Sequence, residues 1–294
     1  MPEHAHMAKT LKISDFPELS QRDFLRLSQF IHEKWGINLP PIKKLLLEGR
    51  LRKRILQLRM KSFKEYCEYL FSPDGSANEY SQLIDLVTTN KTEFFREKDH
   101  FDYLVEFALP TFRGKRLWRQ IGPLQIWCAG CSSGEEPYTL AMILSEFTAA
   151  SPDFSFSILA SDISSKVLSV AKSGIYDESR TCGIPLEYKE KYLLRSKDRS
   201  LQVVRFIPAI RSKIKFERVN LMEMNASIRQ IFHIIFCRNV IIYFDKANQE
   251  KVLKKYYDYL APGGYLFLGH SETLTGLKIP FIPVAPTVYR KPGE

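Results

Sequence analysis

Several short strings in this chain carry residues able to hold a charged or hydroxylated ligand, and each follows an apolar run. Gln125-Ile126-Trp127-Cys128 leads into Ala129-Gly130-Cys131-Ser132-Ser133-Gly134-Glu135-Glu136-Pro137. Two glycines let the backbone turn tightly and approach a ligand closely, and Pro137 suits the first turn of a helix. The string is neither GxGxxG nor GxxxxGK, so by itself it also fits a plain strand-to-helix turn. Leu159-Ala160-Ser161-Asp162 places an acid roughly 20–30 residues past that turn, where a ribose diol is bound in doubly wound sheets. A carboxylate accepts from both hydroxyls, and a helix cap is the competing role for Asp162. Arg218-Val219-Asn220-Leu221 and Phe236-Cys237-Arg238-Asn239-Val240-Ile241-Ile242-Tyr243-Phe244 end two further apolar runs in polar residues. Capping or loop hydrogen bonds explain any one of these singly.

Two other constellations carry less. Cys128 and Cys131 form a CxxC, but Cys67, Cys182 and Cys237 are isolated, so neither a zinc site nor a redox pair is expected. His270 lies in Gly269-His270-Ser271-Glu272, and adjacent positions on one turn cannot build a Ser-His-Glu triad, so a structural histidine is expected.

The elements that must position these residues follow from periodicity. Strand-like runs at Leu124–Cys128, Ser155–Ala160, Lys215–Val219, Ile231–Phe236 and Gly264–Gly269 alternate with helical stretches at Pro137–Phe147, Ser165–Ser173 and Ala247–Leu260. That alternation predicts an α/β domain with a mostly parallel sheet, whose ligands bind beyond the carboxyl ends of the strands. The N-terminal part reads differently. Ser20 with Asp23 signals a helix start, Gly36 a stop, and Pro40-Pro41 a restart; Ile42–Met60 sets Leu45, Leu46, Leu51, Ile55 and Leu58 opposite its basic residues. Ser62–Phe71 and Asn78–Val87 read as helices parted by a turn at Ser72-Pro73-Asp74-Gly75. Residues 1–13 read as a polar tail, and 14–87 as an all-helical unit.

Composition narrows the classes. With 294 residues and 45% hydrophobic content the chain can bury a sizeable core, and two domains are expected. No apolar run approaches the ~20 residues of a membrane span, and the N-terminus lacks a signal-peptide pattern. Few and unpaired cysteines suit a reducing, cytoplasmic setting. The net charge is +10, and Pro40–Lys64 holds nine Lys/Arg against Glu48 alone, a local +8. Such one-sided charge points to an acidic partner.

Taken together, the strings resemble one family, the chemoreceptor glutamate O-methyltransferases of the CheR type, which use S-adenosylmethionine. The resemblance rests on Thr88-Thr89-Asn90-Lys91-Thr92-Glu93-Phe94-Phe95-Arg96-Glu97, Ala129–Tyr138, Ala160-Ser161-Asp162-Ile163, Val219-Asn220-Leu221, Phe236–Asp245, Gly269-His270-Ser271-Glu272 and Thr287-Val288-Tyr289, in the family's order. It implies a helical N-terminal domain over 14–87, a joining segment over 88–114, and a Rossmann-like methyltransferase domain over 115–294 with a small antiparallel β-subdomain inserted at about 188–212. It implies that Asn90, Thr92 and Arg96 reach over the cofactor, Glu135 sits near its methionine part, Asp162 holds the ribose, Asn220 and Leu221 flank the adenine, and Arg238 and Asn239 complete the pocket. Tyr243 would stand near the transferable methyl and Arg96 would clamp a carboxylate. The implied partner is the acidic helical bundle of a chemoreceptor's cytoplasmic domain, steered by Arg50, Arg54 and Arg59; the product is S-adenosylhomocysteine, and a monomer without metal is expected.

The chemistry suits these residue types. A glutamate carboxylate, with a pKa of ~4.3, is already a nucleophile at neutral pH, so no general base is needed. A nucleic-acid methyltransferase would share the charge and fold, but base-amine methylation usually shows a Pro-Pro-aromatic motif where Cys237-Arg238-Asn239-Val240 stands here. A binding-only regulator is the other rival, and the complete set of cofactor positions speaks against it. Some relatives hold a receptor tether on a glycine-bearing loop; Tyr192–Val204 has no glycine, which favours a tether-independent enzyme.

Overall fold

The computed structural model describes residues 17–114, 122–151, 154–226, 228 and 230–293. The polar tail expected over residues 1–13, and the domain start expected at residue 115, lie outside the described residues. The chain divides into two compact units, one running through Lys34 and then Asn38–Val87, the other formed by Trp35–Ile37 with Thr88–Glu294.

The first unit is all-helical. Helix α1 (Gln21–Trp35) starts on the capping box read from sequence: Ser20 Oγ accepts from Asp23 N at 3.0 Å and donates to Asp23 Oδ2 at 2.7 Å. Phe24, Leu27 and Ile31 are among its buried side chains. Helix α2 (Lys44–Gln57) follows a 3-10 turn at Pro41–Lys43 and buries Leu47, Glu48, Leu51 and Ile55. The apolar face differs from the expected one, since Leu45 and Leu46 point outward at 78% and 48% exposure. A run of three leucines cannot all fall on one helical stripe, and Leu47 is the one in register with Leu51 and Ile55. α3 (Phe63–Leu70) is capped by Ser62, and α5 spans Tyr80–Val87. Between them the expected turn is instead a short helix, α4 (Pro73–Asn78). Ser72 caps it by accepting from Gly75 N at 3.1 Å, and Pro73 takes the first position, so the same residues that read as a turn are helix-start residues.

A buried carboxylate joins these helices. Glu79 accepts from Arg54 Nε at 3.0 Å and Nη2 at 2.7 Å, and from the Tyr66 hydroxyl at 3.1 Å. Glu79 is fully buried, and that fork pairs its carboxylate.

The second unit is built on a seven-stranded sheet in the order β6-β2-β1-β7-β8-β10-β9. Its strands are β1 (Leu124–Ala129), β2 (Phe156–Asp162), β6 (Ile214–Arg218), β7 (Phe232–Cys237), β8 (Leu260–Leu268), β9 (Ile282–Ala285) and β10 (Val288–Arg290). β6, β2, β1, β7 and β8 pair in parallel, and β10 is antiparallel to β8 and β9. The central strands are nearly continuous apolar runs because both faces are covered, as parallel sheets require. Trp127 fits in β1 because its indole N–H finds Ser161 Oγ on β2 at 2.8 Å. β8 starts earlier than read from sequence and takes in Pro262-Gly263-Gly264. Helix Glu135–Ala149 follows β1, Ser165–Ser173 follows β2, and Lys246–Tyr259 precedes β8.

A separate three-stranded antiparallel sheet has the order β3-β5-β4, from β3 (Ile175–Asp177), β4 (Leu193–Arg195) and β5 (Val203–Phe206). It includes a strand well before the span of about 188–212 named from sequence, because the chain returns to pair Ile175–Asp177 with Val203–Arg205. Phe206 of this sheet stacks on Tyr138 with ring centroids 4.1 Å apart, which packs the small sheet onto helix Glu135–Ala149. Among the described residues no helix is long and apolar enough to cross a membrane.

Replacing Glu79 by Ala strands the Tyr66 hydroxyl and uncouples Arg54. The variant is expected to lose about 3 kcal/mol of unfolding free energy in a denaturant titration followed by far-ultraviolet dichroism. A loss no larger than that of an ordinary surface substitution would show the fork to be dispensable.

Candidate active site

The strand order reverses at β1, which lies between β2 and β7, so the carboxyl ends of β1 and β7 open onto a topological switch point. The turn after β1 is closely fixed. Gly130 N and Cys131 N both donate to Ser161 O at 2.8 Å, and Ser132 N donates to Asp162 Oδ2 at 2.8 Å. Asp162 Oδ1 accepts from Ser164 N at 2.9 Å, so this one acid organises both its own loop and the neighbouring one. Gly134 takes φ +99°, and a Cβ there would lie 2.7 Å from the Tyr176 hydroxyl. That hydroxyl in turn donates to Ser133 O at 2.6 Å. The glycine is therefore required by both conformation and space.

Glu135 is buried beneath the turn. Its carboxylate accepts from Ser133 Oγ at 2.8 Å and pairs with Arg180, a residue that sequence reasoning did not single out. Nothing in the spacing could have found Arg180, because it stands 45 positions from its partner on a 3-10 turn after β3.

At the end of β7, Arg238 ties three segments together. Its Nε and Nη2 donate to Glu97 Oε2 at 3.2 and 2.9 Å, its Nη1 donates to Glu136 Oε2 at 3.2 Å, and Nη2 also donates to the carbonyl of Arg96. Burial alone would raise the Glu97 carboxyl, but the charge and hydrogen bonds of Arg238 outweigh it and hold Glu97 below the usual carboxylate range. At Glu136 burial wins over the same guanidinium, so its carboxyl is raised. Phe95 and Glu97 both adopt left-handed backbone, at φ +57° and +53°, and bracket Arg96. Such conformations cost of order 1–3 kcal/mol each and persist only where the surroundings fix them. The fixing groups are Arg238 on one side and Thr139 Oγ1 on the other, which accepts from Phe95 N at 3.2 Å. The Arg96 guanidinium is one-third exposed and donates to Lys91 O at 3.0 Å.

The remaining sequence-named residues stand on several elements. Asn90 is brought against the turn after β1, its carbonyl accepting from Ser132 Oγ at 3.1 Å. Thr92 is half-buried on the same segment. Asn220 and Leu221 follow β6, where Val219 N donates to Asp162 O at 3.0 Å, and Asn220 Oδ1 accepts from Met222 N at 3.1 Å. Asn239 is left-handed at φ +58° and its amide nitrogen lies 3.4 Å from Glu97 Oε1. Tyr243 is half-buried on a 3-10 turn at Ile241–Tyr243. In the first unit Arg50 donates to the carbonyls of Leu86 and Val87, Arg54 forks onto Glu79, and Arg59 is exposed.

Sequence reasoning also passed over Glu272. This buried carboxylate accepts from Gly269 N, Asn239 N, Val240 N and Ile242 N at 2.7, 2.8, 2.9 and 3.3 Å. It fixes the loop that carries Arg238, Asn239 and Tyr243. Its neighbour His270 bonds Asp99 at 3.0 Å, and His100 bonds Thr287 Oγ1 at 2.8 Å. Glu97, His100 and His270 bring ligand-type atoms within 4.8 Å of one another, yet the Glu97 carboxylate is already committed to Arg238.

A parallel sheet with an antiparallel final hairpin, a glycine turn after the first strand and an acid after the second define a nucleoside-cofactor methyltransferase. The family described as "CheR methyltransferase, SAM binding domain" matches residues 90–290, and "CheR methyltransferase, all-alpha domain" matches residues 22–88. A chemotaxis protein methyltransferase of Borreliella burgdorferi is 39% identical over 275 residues, spanning 93% of this chain and 95% of its own. Those of Salmonella typhimurium and Escherichia coli are 36% and 34% identical, over 92% and 95% of this chain and 90% and 94% of theirs. The chain belongs to the CheR methyltransferase family and is an S-adenosylmethionine-dependent methyltransferase, with a helical domain preceding the α/β domain.

His100 is buried, and burial followed by the nearby charge of Arg238 pushes its imidazole down to about 4, against opposition from Asp99 and Glu97. Between about pH 6.5 and about pH 4 the unfolded chain takes up this proton and the native one does not, so stability falls as pH is lowered through that window. From about pH 7.5 to about pH 5.5 the His100→Gln variant is expected to lose about 1 kcal/mol less unfolding free energy than the wild type. Buried His233 is shifted in the same direction and leaves part of the decline in place. Equal declines in the two proteins would contradict the assignment.

Proposed function

We propose that the chain transfers the methyl group of S-adenosylmethionine to glutamate side chains on the cytoplasmic helices of chemoreceptors, forming methyl esters that adapt chemotaxis signalling. The observation that carries this reading is the clasp on Arg96. A guanidinium on a segment fixed by Arg238 and Thr139 is a rigid fork, suited to hold a carboxylate in one orientation.

The acceptor needs no base. A carboxylate oxygen forms a bond to the methyl carbon, the carbon–sulfur bond breaks, and its electron pair stays on sulfur; no proton moves. S-Adenosylmethionine supplies that activated methyl when bound. What the protein adds is orientation, an effect that can be worth roughly 7–11 kcal/mol of the barrier. The residues present fit such a cofactor: Asp162 can accept from a diol, Asn220 and Leu221 can line an adenine, and Glu135 can meet an ammonium. Asn90, Thr92 and Asn239 complete the surround, with Arg238 acting on it through Arg96 and Glu97. Tyr243 offers a hydroxyl and an aromatic wall beside a sulfonium.

An acidic helical bundle suits the charge of the first unit. Arg50 and Arg54 are occupied with carbonyls and Glu79, so their part is to shape the unit, while Lys53, Arg59, Lys61 and Lys64 are exposed and can steer a partner. The loop between β4 and β5 puts Gln202, at φ +45°, where a glycine would be favoured, which supports action without a receptor tether.

Two outcomes are expected. Arg96→Ala should lower methylation of receptor membranes about 100-fold while the melting temperature stays close to that of the wild type, since the side chain is partly exposed. Near-normal turnover would remove Arg96 from the chemistry. Reversing Lys53, Arg59, Lys61 and Lys64 to Glu should lower kcat/KM at low salt by about tenfold and leave S-adenosylhomocysteine affinity unchanged. An unaltered rate at low salt would rule out steering by this surface.

A further inference from the structure

His100 is 1% exposed, and only one of its ring nitrogens is engaged. Nε2 bonds Thr287 Oγ1 at 2.8 Å, whereas Nδ1 is buried and makes no hydrogen bond among the described residues. Buried polar atoms in folded proteins are nearly all paired, so a bare one calls for an explanation. Nδ1 lies 3.6 Å from Glu97 Oε2, and the His100 ring meets that of His270 with centroids 5.0 Å apart at 77°. His270 is half-exposed and is held by Asp99, both of whose carboxylate oxygens stand 3.0 Å from its Nε2. Arg238 donates to Glu97 Oε2, while Oε1 meets the Asn239 amide at a long 3.4 Å. A carboxylate offers about four acceptor positions, so its pairing with Arg238 does not exhaust it.

We propose that Glu97, His100 and His270 form an inhibitory site for a divalent transition-metal cation of the zinc type. Their ligand-type atoms lie within 4.8 Å of one another. Bonds of about 2.0–2.1 Å in a tetrahedral zinc site put neighbouring ligand atoms about 3.4 Å apart. His100 and Glu97 already stand near that separation, and His270, with 50% of its side chain exposed, has room to close the remainder. Thr287 Oγ1 can accept the Nε2 proton of His100, which leaves the lone pair on Nδ1, and Asp99 orients His270. Such outer partners are what metal-binding imidazoles usually have. Two imidazoles favour zinc-like cations over Mg2+ and Ca2+, which take oxygen ligands. The Arg238 guanidinium opposes a dication nearby, so occupation is reversible rather than permanent.

The consequence runs through Glu97. With a cation bound, its carboxylate divides its charge between the cation and Arg238, and Arg238 also holds the carbonyl of Arg96. Occupation therefore loosens the clasp that sets Arg96 in place, and methyl transfer slows. The effect on rate rests on the functional reading above; the binding of the cation does not.

The test is a titration of the full chain with Zn2+, followed by calorimetry, and a parallel assay of receptor-membrane methylation with a chelator or with saturating Zn2+. The wild type should bind one Zn2+, and its rate should fall about tenfold and recover when chelator is added. Asp99→Ala should weaken Zn2+ about 10–100-fold, and His270→Ala at least as much. His270→Ala should keep the wild-type rate in chelator and hold it when Zn2+ is added; His270→Gln carries the same expectation should the alanine variant not fold. Mg2+ at the same concentration should slow neither protein. A wild type that binds no Zn2+, or a His270→Ala protein that binds it equally or is equally inhibited, overturns the proposal. Binding that leaves the wild-type rate unchanged overturns the inhibitory role. A wild type that binds Zn2+ but transfers no methyl even in chelator would instead defeat the functional reading and leave the cation site standing.

Discussion

One guanidinium governs the geometry of the active site. Arg238 emerges from β7, where the side chain is almost fully buried, and satisfies Glu136 from the helix after β1 together with Glu97 and the Arg96 carbonyl from the approach segment. Three pieces of chain distant in sequence meet on one planar group. The two acids fare differently beside it: the Glu97 carboxyl is held low, whereas that of Glu136 is pushed up by its burial. The consequence is local. Left-handed backbone at Phe95 and Glu97 would relax elsewhere, but here its removal would break charged hydrogen bonds, so Arg96 is delivered by a strained segment that has no alternative.

The same device recurs around the cleft. Asp162 receives N–H groups from the turn after β1 and from the start of the next helix, and Glu272 receives four N–H groups from two loops. Turns at the carboxyl ends of parallel strands expose backbone donors that no neighbouring strand can take. A buried carboxylate accepts several at once, which is why acids rather than amides organise these loops. The arrangement makes the rim of the sheet rigid, and rigidity is what an in-line transfer asks of its surroundings.

The sequence made the frame legible wherever one periodicity dominated. Buried parallel strands stand out as apolar runs, and the helix after β2 agrees with its reading from Ser165 to Ser173 because Ser164 is an ordinary cap and Gly174 an ordinary stop. Local signals failed where one residue type serves two roles. Ser72-Pro73 begins a helix as readily as a turn, and Leu45-Leu46-Leu47 does not announce which leucine faces the core. The site was legible in its acids and glycines, because they follow strands at fixed offsets. It was not legible in Arg180, Glu272 or the Arg54–Glu79 fork, whose meaning comes chiefly from partners 25 or more residues away.

That contrast bears on how the chemistry is divided. Asp162, read from the chain's own pattern, and Glu135, implied by the family resemblance, are those that the proposed reading sets against a nucleoside with an amino-acid tail. Those revealed by the fold, such as Glu97, Glu136, Thr139 and Glu272, touch other protein groups and set where the first kind stand. On the proposed reading, methyl transfer to an ionised acceptor involves no proton and needs no titrating catalyst, so rate depends on position. In such an enzyme the supporting network is the larger part of the catalytic apparatus. The expectation for the network is then specific: changes within it should alter rate through geometry, with little displacement of any pH profile near neutrality.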